Sequence, residues 1–318
     1  MKKFDVIALG IAVVDILARP VDKSVFDRDN TAIDEIDVCP GGDAANQAVN
    51  ISKLGLLVSL CCRLGADSMG DLFLSAVKSH GVDTSHAAVS ASSRTSTAIA
   101  LVSQSGDRNI ICRRGNNYDF CFRDIDLEFI KNARALSVGS LYGMPKLEED
   151  GGLLAALQAA KEGGLVTFAD MGSDKKGQKL KGIAPFLPYI DYFLPSEKDS
   201  RNLSGTDDCE EAAKAFLDAG VKNVVIKLGK RGAYAHTAGY RGYVNPYNIR
   251  PVDTTGAGDA FCSGMICGVL NGLDIRRTLD FAAACGAFNS LFLGANTSPL
   301  SAEAVREFMK NTPRTKIY

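Results

Sequence analysis

The 318-residue sequence has almost no net charge, with 36 Lys and Arg against 37 Asp and Glu. No global field draws it to nucleic acid or to an anionic membrane, so an anionic ligand must be met by a local site. Histidine is scarce. His80, His86 and His236 form neither an H-E-x-x-H motif nor an i, i+4 pair, which removes metal proteolysis. G-x-S-x-G is absent, and with it the support for serine hydrolysis. Gly172 and Gly177 have P-loop spacing, but Gln178 follows where that loop needs Lys, so a P-loop is excluded. No G-x-G-x-x-G follows the first strand-like run, which counts against a dinucleotide-binding dehydrogenase. The nine cysteines include no C-x-x-C pair, which argues against a thiolate zinc site or a disulfide framework and for free buried thiols in a reducing cytosol. Long apolar runs are also missing. Phe281–Ala295 falls short of the roughly 20 residues a bilayer requires and contains Asn289, so a buried helix is expected there. Lys2 and Lys3 ahead of Phe4–Ala18 imitate a secretory leader, but Asp5 and Asp15 interrupt that run and its β-branched character suits a first core strand. A cytoplasmic protein without a membrane partner is the expectation.

What is present is an α/β rhythm in a chain of ordinary globular composition, 46% hydrophobic and 23% charged. Strand-like runs at Asp5–Leu9, Val58–Arg63, Ala135–Gly139, Val166–Asp170, Tyr192–Leu194 and Asn223–Leu228 are nearly continuous in apolar residues, as strands covered on both faces are. Helical periodicity fills the intervals: Ala44–Leu54, Met69–Ser79 behind Ser68, Leu153–Lys161, Ala257–Leu270 and Arg276–Leu293. The alternation predicts a doubly wound, mostly parallel sheet in one domain spanning 1–318, with a body of about 270 residues. Two stretches break the rhythm, 13–38 and 97–112. The second reads as a hairpin with its turn over Gln104–Arg108. Together they could form a small β-sheet lid over a cleft, or a pair of surface hairpins.

The densest chemical signal is Asp253-Thr254-Thr255-Gly256-Ala257-Gly258-Asp259, immediately ahead of a helical run. Glycines there let successive backbone N–H groups converge on an anion at a helix N-terminus. Asp259 stands inside that turn, where an ionised carboxylate could take the proton of an attacking hydroxyl. The plainer reading is a capped helix behind a tight turn. Gly41-Gly42, with Asn46 four residues on, opens another helix. Bare backbone beside an amide suits a sugar hydroxyl, and Asp15 is a second candidate for the same task. Lys227 to Gly232 after a strong strand is either a nucleotide-binding turn or a basic hairpin turn.

With Gly41-Gly42…Asn46…Leu54-Gly55 early and the Asp253–Phe261 motif late, the sequence resembles the ribokinase-like, or phosphofructokinase B-type, carbohydrate kinases over essentially its whole length. The resemblance implies a large α/β domain with a small β lid, ATP-dependent phosphorylation of a sugar hydroxymethyl group, Mg²⁺, and in some members K⁺. It implies Asp259 as catalytic base, with Gly256, Ala257 and Gly258 as anion hole. Asp15, Gly41, Gly42 and Asn46 would hold the sugar, and Ser196, Lys227, Gly229, Gly232 and Thr254 the nucleotide. Asp253 would sit at a monovalent-cation site beside Gly294 and Ser298. The family's N-x-x-E stretch is represented by Ser196-Glu197-Lys198-Asp199, whose shorter side chains imply that Asp199 meets Mg²⁺ through water. Asp43 stands where ribokinases often carry lysine, and no acid directly follows Leu141-Tyr142-Gly143; both count against ribose as the substrate. A nucleoside kinase on the same fold and a non-catalytic sugar or nucleotide sensor are the alternatives, and an apolar lid face would suit a homodimer.

Overall fold

The computed structural model describes residues 2–104 and 108–318. Its main sheet has eight strands in the edge-to-edge order Tyr240–Val244, Ala233–Thr237, Asn223–Lys227, Tyr192–Phe193, Val166–Met171, Ala133–Leu141, Phe4–Gly10 and Val58–Cys61. The last six are mutually parallel, and the first two close the sheet as an antiparallel hairpin. Phe4–Gly10 shows why the strand-like runs lack alternation. It lies between two parallel neighbours and is buried at six of its seven positions, because each face carries its own apolar core.

One face is covered by the helices Asp43–Lys53, Ala257–Leu270, Ile275–Asn289 and Ala302–Asn311, whose side chains meet Val6, Ala8, Val225 and Ala235. The other packs Gly152–Glu162 and Cys209–Asp218 against Ile7, Leu9, Leu136 and Ile226. Among the described residues no helix is long and apolar enough to cross a membrane.

A separate four-stranded sheet, in the order Glu35–Gly41, Val13–Arg19, Thr97–Val102 and Arg108–Arg113, uses the two stretches that break the rhythm. Its first strand runs three residues beyond the expected 38, delivering Gly41 to the side of Asp15. The turn of the expected hairpin lies partly outside the described residues. Register places Cys39, Asp15, Ala98 and Cys112 in one row across this sheet. The next row, Val38, Ile16, Ile99 and Ile111, is wholly apolar, and Val38, Ile99 and Ile111 are exposed.

Three boundaries differ from the periodicity. Val58–Arg63 divides into Val58–Cys61 and Arg63–Gly65, the latter pairing with Ala88–Ser90 in a sheet of its own. The helix expected behind Ser68 is capped by Asp67, whose carboxylate accepts from Gly70 N at 3.0 Å and Thr95 N at 3.0 Å. The helix expected to reach Leu293 stops at Asn289. The Asn289 amide there donates to Thr255 O and Ala295 O, both at 3.2 Å, and turns the chain back around the Asp253 motif.

Candidate active site

Two cavities open at the carboxyl ends of the parallel strands, where ligands collect in open α/β sheets. The first, of about 440 Å³, lies between the small sheet and the body and includes Asp15, Ala98, Arg113, Ser140 and Tyr142 in its wall. The second, of about 590 Å³, contains Ser196, Lys227, Gly229, Gly232, Thr254 and Asp259. Asp43, Met171 and Asp199 line both, so the two spaces adjoin there.

Gly256 caps the helix Ala257–Leu270 with φ of +71°, and a Cβ on it would come within 2.3 Å of Ala295 O. Only glycine satisfies both conditions. Gly256, Ala257 and Gly258 all reach the wall of the second cavity. The Ala257 N–H is partly engaged by Thr254 O at 3.2 Å. Asp259 is the third residue of the helix and is 8% exposed. Burial pushes its carboxyl up to about 7; the nearby Asp170 charge pushes the same way, against a hydrogen bond from Asn46 and the charge of Lys227. The helix end that favours its charged form is outweighed.

Asn46, expected at the sugar, meets two protein side chains in this structure. It lines neither cavity. Its Nδ2 donates to Asp259 Oδ2 at 2.8 Å, and its Oδ1 accepts from Asn296 Nδ2 at 2.9 Å, so each end of the amide has a protein partner. Asn296 is anchored in turn on Pro40 O at 2.9 Å. Gly41 and Gly42 also stand behind the wall. A Cβ on Gly41 would sit 1.9 Å from Asp15 Oδ2, so this glycine makes room for the Asp15 carboxylate that does reach the first cavity.

Asp170, which no sequence motif singles out, is the penultimate residue of the strand Val166–Met171. It pairs with Lys227 at 2.6 Å, and Cys262 Sγ lies 3.4 Å from the same ammonium. Burial opposes the Lys227 charge, but Asp170 and its neighbours hold that charge above its ordinary range. The ammonium is 3.4 Å from where a Gly258 Cβ would be, beside the glycine turn that opens the helix. Asp43 is raised well above the carboxylate range by burial, then by Asp259 and Asp170. Asp199 is raised by burial and by Asp170, against the Ser196 hydroxyl that bonds it. Four carboxyls thus surround one ammonium. Asp253 folds its own loop: Oδ1 accepts from Thr255 N and Oγ1 at 2.9 and 2.7 Å, and Oδ2 from Gly294 N at 2.9 Å.

The model of the pfkB family carbohydrate kinases matches residues 3–302. The chain belongs to that family. The kinase is similar to the 5-dehydro-2-deoxygluconokinase of Clostridium perfringens, 29% identical over 97% of this chain and 94% of that one. It is also similar to the ribokinase of Haemophilus influenzae, 27% identical over 85% and 87%. Among solved structures it superposes on the ribokinase of Thermotoga maritima with a TM-score of 0.80, at 26% identity over 97% and 100% of the two chains. A ribokinase-type protein of E. coli in complex with ATP and Mg²⁺ gives a TM-score of 0.84 at 24% identity over 96% and 99%, which shows the shared fold. The kinase therefore has the ribokinase-like fold and is an ATP-dependent sugar kinase.

Proposed function

We propose that the kinase transfers the γ-phosphoryl group of ATP to a hydroxymethyl group of a monosaccharide, with the sugar in the first cavity and the nucleotide in the second. The supporting observation is Asp259: a buried carboxyl poised near neutrality and bonded by Asn46, at the head of a glycine-led helix in the wall of the second cavity, where its charge acts on Asp43, which lines both spaces. The substrate hydroxyl gives its proton to the Asp259 carboxylate as its oxygen bonds to the γ-phosphorus, and the bond to the β-γ bridging oxygen breaks to release ADP. The amides at the head of the helix stabilise charge gathering on the transferred group, and Lys227, held by Asp170, adds a fixed cation beside them.

Asp43, Asp170, Asp199 and Asp259 around one lysine make an acid-rich junction that suits a divalent cation brought in with ATP. Among the described residues no three metal-ligating side chains converge on one point, so Mg²⁺ would rest on Asp199 or Asp43 through water and on the phosphates it neutralises. Asp253 Oδ1 accepts within its own loop and Oδ2 accepts from Gly294 in the loop beyond Asn289, so this side chain clasps the two loops together. The small sheet, with Asp15 facing the first cavity, is the lid that would exclude water on closing.

The test is ADP release with ATP, Mg²⁺ and a panel of pentoses, ketoses, sugar acids and nucleosides. At least one sugar should turn over, and Asp259→Asn should lower kcat by about 10²-fold or more while ATP still binds. Full activity of that variant, or silence across the whole panel, refutes the reading.

A further inference from the structure

Resting on the kinase reading, the geometry points to a substrate class for the same site: a monosaccharide bearing an anionic end group, a carboxylate or a phosphate, received by Arg113, Arg114 and Lys175. All three line the first cavity and none lines the second, so they are not placed to serve the phosphates of a nucleotide there. They come from two segments. Arg113 ends the outer strand of the small sheet, paired across to Thr97. Arg114 begins the return to the body, and Lys175 follows the strand Val166–Met171.

Their surroundings leave this charge for a ligand. Among the described residues none of the three is in an ion pair with a carboxylate, whereas the adjacent Lys176 is paired with Glu149. The Arg114 guanidinium bonds the Tyr118 hydroxyl and stands 5.7 Å from that ring's centroid, so it is held in place with most of its donors unspent. Among the charged residues that line the sugar cavity alone, the three cations outnumber a single carboxylate, Asp15, while Asp43 and Asp199 mark its junction with the nucleotide cavity.

A second observation comes from the floor. Ser140 is fully buried, its Oγ has no hydrogen-bond partner, and it lines this cavity. Its φ is +92°, unusual for a residue with a Cβ, and the nearby Tyr142 in the same wall has φ of +67°. A non-glycine residue held in that conformation with an unsatisfied hydroxyl on a cavity wall indicates a ligand oxygen opposite. A neutral sugar would satisfy Ser140 and make no use of the cations, whereas a sugar with an anionic end engages both.

The experiment is calorimetric binding without ATP, together with steady-state kinetics, comparing gluconate, 2-dehydro-3-deoxygluconate and fructose 6-phosphate with glucose, fructose and ribose. At least one anionic probe should bind about 10-fold or more tightly than its neutral counterpart. Whether the carboxylates or the phosphate ester show the preference identifies the anion. Arg113→Gln and Lys175→Gln should each cut the anionic-to-neutral ratio of kcat/KM by about 10-fold, chiefly through KM. Added salt should weaken the anionic probes selectively. Neutral sugars binding as well as the anionic ones, no probe binding, or both classes losing equally in the variants overturns the inference. Turnover of neutral sugars alone leaves the kinase reading standing without it; tight anionic binding with no turnover of any sugar does the reverse.

Discussion

Replacing Asn46 with leucine tests whether this amide acts on the base or on the sugar. The two side chains have the same number of heavy atoms and the same branching, so the change removes the donor to Asp259 Oδ2, and the acceptor of Asn296 Nδ2, while keeping the outline of the side chain. That hydrogen bond favours the ionised carboxylate and works against burial and Asp170. A hydrogen bond to a charged group contributes about 1.5–3 kcal/mol, and about 1.36 kcal/mol moves a pKa by one unit. The Asp259 carboxyl, already near 7, should therefore rise by about 1–2 units. Only the ionised form can accept the substrate proton, so activity is lost as pH falls through this value, and Asn46→Leu should lose it earlier. In a coupled ADP-release assay across the pH range, the acid limb of kcat/KM should move upward by that amount. At pH 6 the variant should be about 10- to 100-fold slower than the parent, with most of the deficit recovered in alkaline buffer. A loss of equal size at every pH, with the limb unmoved, would refute the reasoning and return Asn46 to a direct contact with the sugar.

Two further perturbations probe what holds the site. Asp170→Asn leaves the Lys227 ammonium buried with no carboxylate at 2.6 Å; urea titration should show a loss of about 3–5 kcal/mol, and a loss below about 1 kcal/mol would mean the pair adds little. Gly256→Ala places a Cβ 2.3 Å from Ala295 O in a left-handed conformation, so it should cost at least about 1–2 kcal/mol in the same titration and weaken ATP binding measured by calorimetry. An alanine variant that binds ATP like the parent would show that the turn tolerates a side chain.

The parts legible in the sequence are those whose cause is local. Strands covered on both faces must be apolar throughout, so Phe4–Gly10 and Asn223–Lys227 stand out without a partner in view. Gly256 is readable because its left-handed turn and the helix after it are adjacent in sequence. Pairings across the sheet are a different matter. Asp170 and Lys227 meet only because their strands lie on either side of Tyr192–Phe193. An acid at the carboxyl end of a predicted parallel strand was the one available signal for Asp170. Nothing near Asn46 in sequence tells a sugar hydroxyl from Asp259, so its bond to that carboxylate is visible only in the fold. Arg113, Arg114 and Lys175 gave no pattern because they come from two segments that the fold brings to one cavity. The helix ending at Asn289 was misread because its apolar run continues while its hydrogen bonds turn to Thr255 and Ala295.

The bond between Asn46 and Asp259 spans 213 positions of the chain. During synthesis the two arrive far apart in time. The helix bearing Asn46 is made early, yet it has no base to orient until the helix Ala257–Leu270 has been made and has docked beside it. Every strand of the main sheet has therefore been synthesised before the partner of Asn46 exists, and the Asn46–Asp259 pair is among the last features that assembly can complete.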